Sequence, residues 1–474
     1  MSLIFFTVSA SAPMTVLAGG VVATFAVTGS VGVPLSFPIL ALSLALFAVG
    51  YAAMSRYVSN AGAFYAYLAQ GLGRAWGVAG SFVALVAYNA IQIGLYGLFG
   101  AALQPLAKDK LHVNLPWWGW ALIALVVVGT LGILRVDLNA KVLAVLLIME
   151  IAAVLLFDIG AFGSPAGGQV SGAGLSPSNL FDMTTIGGVF AFGIAAFVGF
   201  ESAAVYSEEA KDPRRTVARA TYAALAVTGV LYTISAWALE VGVGTDQVVK
   251  TTQTDGPGAV FGLIGQHFGA VVADLANVLL ITSVFAALLS FHNGVARYLF
   301  ALGRERVLPQ ALARTGARSG APVYGSLIQS LLALVVVAIF VVSGQDPVAT
   351  LFTWLSYSAA VGVLLLMVGT SVAVIGFFHG RDVPETAWQR TVAPLLGAFV
   401  LAVITGVTMY NSDSVLGTAK GSALTWILPG IVVVAALAGL LWGMVLRSRR
   451  PEVYTGIGRG LAQSPIAEAT AAAV

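Results

Sequence analysis

Apolar stretches of about 20 residues, enough for a helix to cross a hydrocarbon core roughly 30 Å thick, recur along the whole chain with short polar punctuation between them. Hydrocarbon offers no partner for a free backbone N–H or C=O, so each stretch must satisfy its hydrogen bonds internally. Reading the apolar runs against Gly, Pro and charged breakers predicts about twelve spans. They fall near 4–27, 34–54, 76–105, 117–134, 139–160, 186–207, 217–243, 268–296, 323–343, 350–378, 393–410 and 424–446. Charged residues make up only 9% of the chain, far below the quarter or so typical of soluble domains. The fold class is therefore an all-α polytopic membrane protein lying in the lipid bilayer. The first apolar stretch is expected to be retained rather than cleaved, because so many others follow it. It lacks the short basic tail usual ahead of a first span, which leaves open a start further upstream.

The positions of the cations orient the bundle. Nineteen of the 23 Lys and Arg residues fall on one side of the alternation, from Arg56 and Arg74 through the Arg297–Arg318 stretch to Arg447, Arg449, Arg450 and Arg459. Lys108, Lys110, Lys250 and Lys420 fall on the other. By the positive-inside rule both termini face the cytoplasm, and a multi-pass cell-membrane location follows. That distribution also accounts for the net charge of +3 without nucleic-acid binding. With no cysteine, and four histidines (His112, His267, His292, His379) that show no metal-ligand spacing, neither a metal nor another cofactor is expected. No zinc-protease, intramembrane aspartate or P-loop signature is present, so an enzyme is disfavoured and no ATP drive is expected. A channel would show a repeated filter segment or charged ring, and neither is seen.

Two spans are poor regular helices. Span 1 carries Ser9-Ala10-Ser11-Ala12-Pro13, where the proline removes a donor and clashes with the preceding turn. Span 6 carries Gly187, Gly188, Gly193 and Gly199. Interrupted spans five helices apart point to an inverted-repeat transporter that holds its solute at the breaks near the bilayer midplane. Ordinary kinks are the alternative, since Gly and Pro are frequent in transmembrane helices.

Three motifs then resemble the amino acid, polyamine and organocation (APC) transporter superfamily. They are Arg56-Tyr57-Val58-Ser59-Asn60-Ala61-Gly62-Ala63-Phe64-Tyr65, Gly199-Phe200-Glu201-Ser202 with Glu208 to Arg215, and Ala296-Arg297-Tyr298 through Arg304-Glu305 with Leu308-Pro309. The resemblance implies a LeuT-type fold: a core over residues 1–380 made of two inverted five-helix repeats (spans 1–5 and 6–10), two peripheral helices over 381–446, and a cytoplasmic tail over 447–474. It implies a secondary permease that imports or exchanges a small amino acid, with an amine or polyamine as the alternative solute. Substrate contacts are then expected on the backbone of Ala10, Ser11 and Ala12 in span 1 and of Ala196, Phe197, Val198 and Gly199 in span 6, with Thr15 beside them. Many amino-acid members have glycines where this chain has Ala10 and Ala12, and the two methyl groups narrow the approach of a carboxylate.

Charges inside the spans are informative, because a carboxylate at the bilayer centre costs about 2.5–3.5 kcal/mol even on the lenient scale. Glu150 stands mid-span among apolar neighbours. It could bind a proton, a cation or the solute's amine, or be a purely structural carboxylic acid. The resemblance matches it to a family lysine at the place where sodium-coupled relatives bind sodium, and matches Glu201 to a carboxylate implicated in proton coupling and gating. Glu201 could equally cap freed N–H groups where span 6 restarts. The proton is the expected coupling partner. A sodium site at Thr282 and Ser283 is not supported by so common a hydroxyl pair. Asp158, Glu240 and Asp274 are expected near the interfaces. Tyr88 and Asn89, with Gln92, could line a solute path on span 3, and Trp354, Tyr357 and Phe197 or Phe200 could wall it.

Overall fold

The computed structural model describes residues 12–58, 60, 62–134, 140–201, 213–316, 319–419 and 421–459. Among them, ten helices are long and apolar enough to cross a membrane, and two apolar helices are shorter. In chain order the twelve are α1 (Pro13–Thr28), α2 (Val33–Met54), α3 (Arg74–Leu111), α4 (Trp117–Leu134), α5 (Ala140–Gly163) and α6 (Ile186–Phe197). The second half continues with α7 (Pro213–Val243), α8 (Ala270–Arg304), α9 (Val323–Val342), α10 (Pro347–Phe378), α11 (Trp388–Tyr410) and α12 (Leu424–Arg449). Each expected span has its helix. The two short ones are α1 and α6, about 24 Å and 18 Å long at 1.5 Å per residue, less than the hydrocarbon thickness. The expected parts of these spans before residue 12 and after Glu201 lie outside the described residues.

Several boundaries move. α3 runs to Leu111 and carries Lys108, Asp109 and Lys110 on a helix of 38 residues. α8 runs eight residues past its expected end, through Arg297 to Arg304. Charges end an apolar run without ending a helix whose backbone still bonds to itself outside the bilayer. The lead into α3 is a separate helix, Phe64–Gly71, set off by Gly73. Two further helices, Val248–Asp255 and Gly258–Phe268, cover the connection between α7 and α8.

The packing is symmetric under exchange of helix i with helix i+5. The pairs α1·α6, α2·α7, α3·α8 and α4·α9 pack directly on one another. The pair α1·α5 has its counterpart in α6·α10, α5·α7 in α10·α2, α3·α4 in α8·α9, and α5·α8 in α10·α3. Because an offset of five reverses the direction of crossing, this is the packing of two inverted repeats. Burial sorts the helices by depth: 78% of the most apolar window of α3 is buried, against 28% for α9 and 22% for α12. Leu331, Val342, Leu437 and Leu441 are correspondingly exposed on the outside of the bundle, where lipid rather than water is the matching solvent.

Candidate functional site

The site is built on the two short helices, α1 and α6, each of which has an irregular backbone at one end. At α1 the backbone of Ala12 is left-handed (φ 40°, ψ 71°), and Pro13 takes the first helical position, where its missing N–H is least costly. The first free donor is the N–H of Met14, and it points to Glu150 Oε2 at 3.4 Å. The same oxygen accepts the Ser283 hydroxyl at 2.7 Å. Ser283 in turn accepts the Thr15 hydroxyl at 3.0 Å. A carboxylate from α5 thus sits at the start of α1, where the helix dipole favours negative charge, and a two-hydroxyl chain joins it to Thr15. All three side chains are buried. Beyond Thr15, α1 widens into a π-helical turn over Val16–Val21, a distortion that recurs at functional sites.

At α6 the helix stops at Phe197. Val198 turns extended (φ −57°, ψ 127°), and Gly199 takes φ +113°, a conformation that a β-carbon would strain. Glu201 folds back over this break. Its Oε2 accepts the Gly199 N–H at 2.9 Å, its Oε1 accepts the Tyr88 hydroxyl at 2.8 Å, and its carbonyl accepts the Tyr51 hydroxyl at 3.2 Å. Each irregular helix therefore has its own glutamate on a freed N–H, from α5 in one case and from the same segment in the other.

Between the two lies a small cavity lined by residues of both. Ala12, Thr15, Val16 and Gly20 of α1 form one wall, and Ala195, Ala196 and Val198 with Phe192 form the facing one. Ile91 and Leu95 of α3, Ala287 and Phe291 of α8, and Phe352 and Ser356 of α10 close it. No described lining residue carries a charged side chain; Thr15 and Ser356 bring the hydroxyls.

A family described as "Amino acid permease" matches residues 3–452. The chain belongs to the amino acid permease family. Its curated relatives include the branched-chain amino acid permease BcaP of Lactococcus lactis, 26% identical over 81% of this chain and 82% of that one. The low-affinity putrescine importer PlaP of Escherichia coli is 22% identical over 85% of this chain and 86% of its own length. The methylthioribose transporter of Bacillus subtilis is 24% identical over 86% and 88%. This permease is thus a multi-pass membrane transporter of amino acids or amines.

Of the residues singled out from the sequence, Ala12, Thr15, Ala196 and Val198 line the permease's cavity. Ala10 and Ser11 lie outside the described residues. Tyr88 is held by Glu201, and the Asn89 amide donates to the Leu85 carbonyl at 2.6 Å. Phe197 packs on Phe37 and Tyr232, with ring centroids 6.2 and 5.9 Å away. Gly199 gives its N–H to Glu201. Trp354 donates to the Leu416 carbonyl at 3.2 Å and stacks edge-on with Phe340, so the aromatic residues in the cavity wall are Phe192, Phe291 and Phe352. Thr282 returns its hydroxyl to Leu279, while Ser283 is turned to Glu150. Asp274 forms an exposed ion pair with Lys110 at 2.5 Å. Asp158 and Glu240, near the ends of α5 and α7, are buried within the protein, where Ser235 and Thr245 bond them.

The lining positions missed from the sequence fall in pairs one helical turn apart, such as Ile91 with Leu95, Ala287 with Phe291 and Phe352 with Ser356. That spacing puts both members of a pair on one helix face. In a chain this apolar the same spacing occurs on every span, so it singles out none of them.

Proposed function

We propose that this permease is a secondary transporter that imports or exchanges neutral α-amino acids across the cytoplasmic membrane by alternating access, with the proton as coupling ion at Glu150. The observation that carries the reading is an apolar cavity bounded by two irregular helices and joined by hydroxyls to one buried carboxylate. An uncharged side chain suits Ile91, Leu95, Phe291 and Phe352. A second cationic group, as in lysine or putrescine, finds no carboxylate in the described wall, and burying an unpaired charge is heavily penalised. The solute's own ammonium and carboxylate groups are met by backbone at Ala10, Ser11 and Ala12, which precede α1 in the sequence, and at Ala196, Phe197 and Val198 at the end of α6. Gly199 supplies the turn, and Glu201, locked to Tyr88, transmits the state of α6 to α3 as a gate.

Coupling follows from hydrogen-bond direction. With Glu150 ionised, Thr15 donates to Ser283, Ser283 donates to Glu150, and the Thr15 hydrogen is spent inside the protein. Protonation makes Glu150 a donor, so the Ser283 and Thr15 hydroxyls can reverse. The Thr15 hydrogen then turns into the cavity, available to a solute carboxylate. Proton and solute thus favour each other's binding. The lopsided Lys and Arg distribution supports a cytoplasmic location for both termini, and in this reading residues 1–380 are the transport core, with α11 and α12 peripheral.

A second reading, an amine permease, is favoured by one specific feature. Glu150 already takes the Met14 N–H, and the Ala12 methyl narrows the backbone approach, so an amine without a carboxylate would lose less at this end. Thermal unfolding of the purified permease with a panel of amino acids and amines separates the two, because a ligand that binds the native state raises its stability. Upward shifts confined to neutral amino acids support the first reading; shifts confined to amines overturn it.

A further inference from the structure

Ser356 carries a hydroxyl that this cavity does not otherwise explain. It is only 1% exposed and lines the cavity one turn after Phe352. Its Oγ has no hydrogen-bond partner among the described residues. On the same helix Thr353, Ser358 and Ser371 return their hydroxyls to Val348 at 2.8 Å, Trp354 at 2.9 Å and Met367 at 2.9 Å; the Tyr357 and Thr370 hydroxyls also lack a partner among the described residues, but neither residue lines the cavity. Thr15, the other hydroxyl in the described wall, is committed to Ser283. A buried hydroxyl without a partner is destabilising, and a ligand group that answers it recovers that loss on binding.

The location says which part of a solute it meets. On α10 Ser356 lies between Phe352 and Ala359, and Ala359 packs with Ile91 against Ala195, Phe291 and Leu355. That is the α3 and α8 side of the cavity. Glu150 and the start of α1, where the amino-acid head is proposed to sit, are reached instead through Thr15. The side chain of the solute therefore points at Ser356.

We infer that Ser356 is a specificity-determining residue that reads a hydrogen-bonding group on a short solute side chain, so that the preferred solutes are β-hydroxy amino acids of the threonine and serine type. This rests on the amino-acid reading above and adds the side chain to it. Valine is nearly isosteric with threonine, and bound in this cavity it would set a methyl group where the hydroxyl needs a partner. A single such unmade bond in a desolvated site costs about tenfold in affinity.

The experiment uses the full-length permease in proteoliposomes and measures the affinities of threonine and valine for the wild type and for Ser356→Ala. The expected result is a preference for threonine of about tenfold in the wild type, lost in Ser356→Ala through weaker threonine binding with valine binding kept. Retained valine binding also reports that the variant is folded with its cavity intact. Equal affinities in the wild type, or a preference that survives Ser356→Ala, would overturn the inference while leaving the amino-acid reading in place. If the wild type binds neither amino acid and binds amines, the amino-acid reading falls and this inference with it.

Discussion

Replacing Glu150 with glutamine separates the charge of the proposed coupling group from its shape. Both donors at this position, Ser283 Oγ at 2.7 Å and Met14 N at 3.4 Å, converge on the single oxygen Oε2. A glutamine can place its one amide oxygen there and keep both bonds. Its NH₂ then replaces Oε1, which receives no hydrogen bond from a described residue. The fold and the cavity wall are therefore retained, and only the proton site is lost. With one titrating carboxyl per cycle, each pH unit of gradient supplies about 1.4 kcal/mol, or tenfold accumulation of a neutral solute. In liposomes held one pH unit more alkaline inside, the wild type is expected to accumulate its solute about tenfold. Glu150→Gln should only equilibrate it, with solute exchange at equal pH retained at weaker affinity, because the amide oxygen keeps the Thr15 hydrogen spent on Ser283. Gradient-driven accumulation by Glu150→Gln at the wild-type level would refute the reasoning and make Glu150 a structural carboxylic acid.

Glu201 behaves differently, because its two oxygens serve two donors, Tyr88 and the Gly199 N–H. Glu201→Gln must turn an NH₂ toward one of them and should cost about 1–3 kcal/mol of stability; adding Tyr88→Phe should recover part of it in a double-mutant cycle of thermal unfolding. Gly199→Ala should lower stability by about 1–3 kcal/mol, because φ +113° strains any β-carbon, and an unchanged melting temperature would show that the break relaxes. For orientation, single cysteines at the exposed positions Gly417 and Thr315 should respectively react and fail to react with an impermeant thiol reagent in intact cells; the reverse pattern would invert the topology.

Much of the architecture is legible in the sequence because the bilayer imposes it. Hydropathy placed a span at each of the twelve apolar helices, and Pro13 and Gly199 marked the two short ones. Glu150 was visible as a lone carboxylate in an apolar run, since such a group is retained only where something binds it. What the sequence hides is which side chains converge. Tyr88 and Asn89 are consecutive, hence about 100° apart on α3; one turns to Glu201 while the other returns to its own backbone. Ser283 looks like any transmembrane hydroxyl until the fold brings α1, α5 and α8 together around it. The helical extensions at Lys108–Leu111 and Arg297–Arg304 were hidden because hydropathy detects the lipid boundary, not the end of backbone hydrogen bonding. The cavity wall is apolar like its surroundings, so only packing reveals it.

The most direct test of the account is uptake of labelled neutral amino acids into ATP-free proteoliposomes with an inside-alkaline pH gradient, with and without a protonophore. Accumulation above the external concentration that collapses when the protonophore is added is the predicted result. Uptake that stops at equilibrium with the gradient intact, or accumulation indifferent to the protonophore, would contradict proton-coupled amino-acid transport.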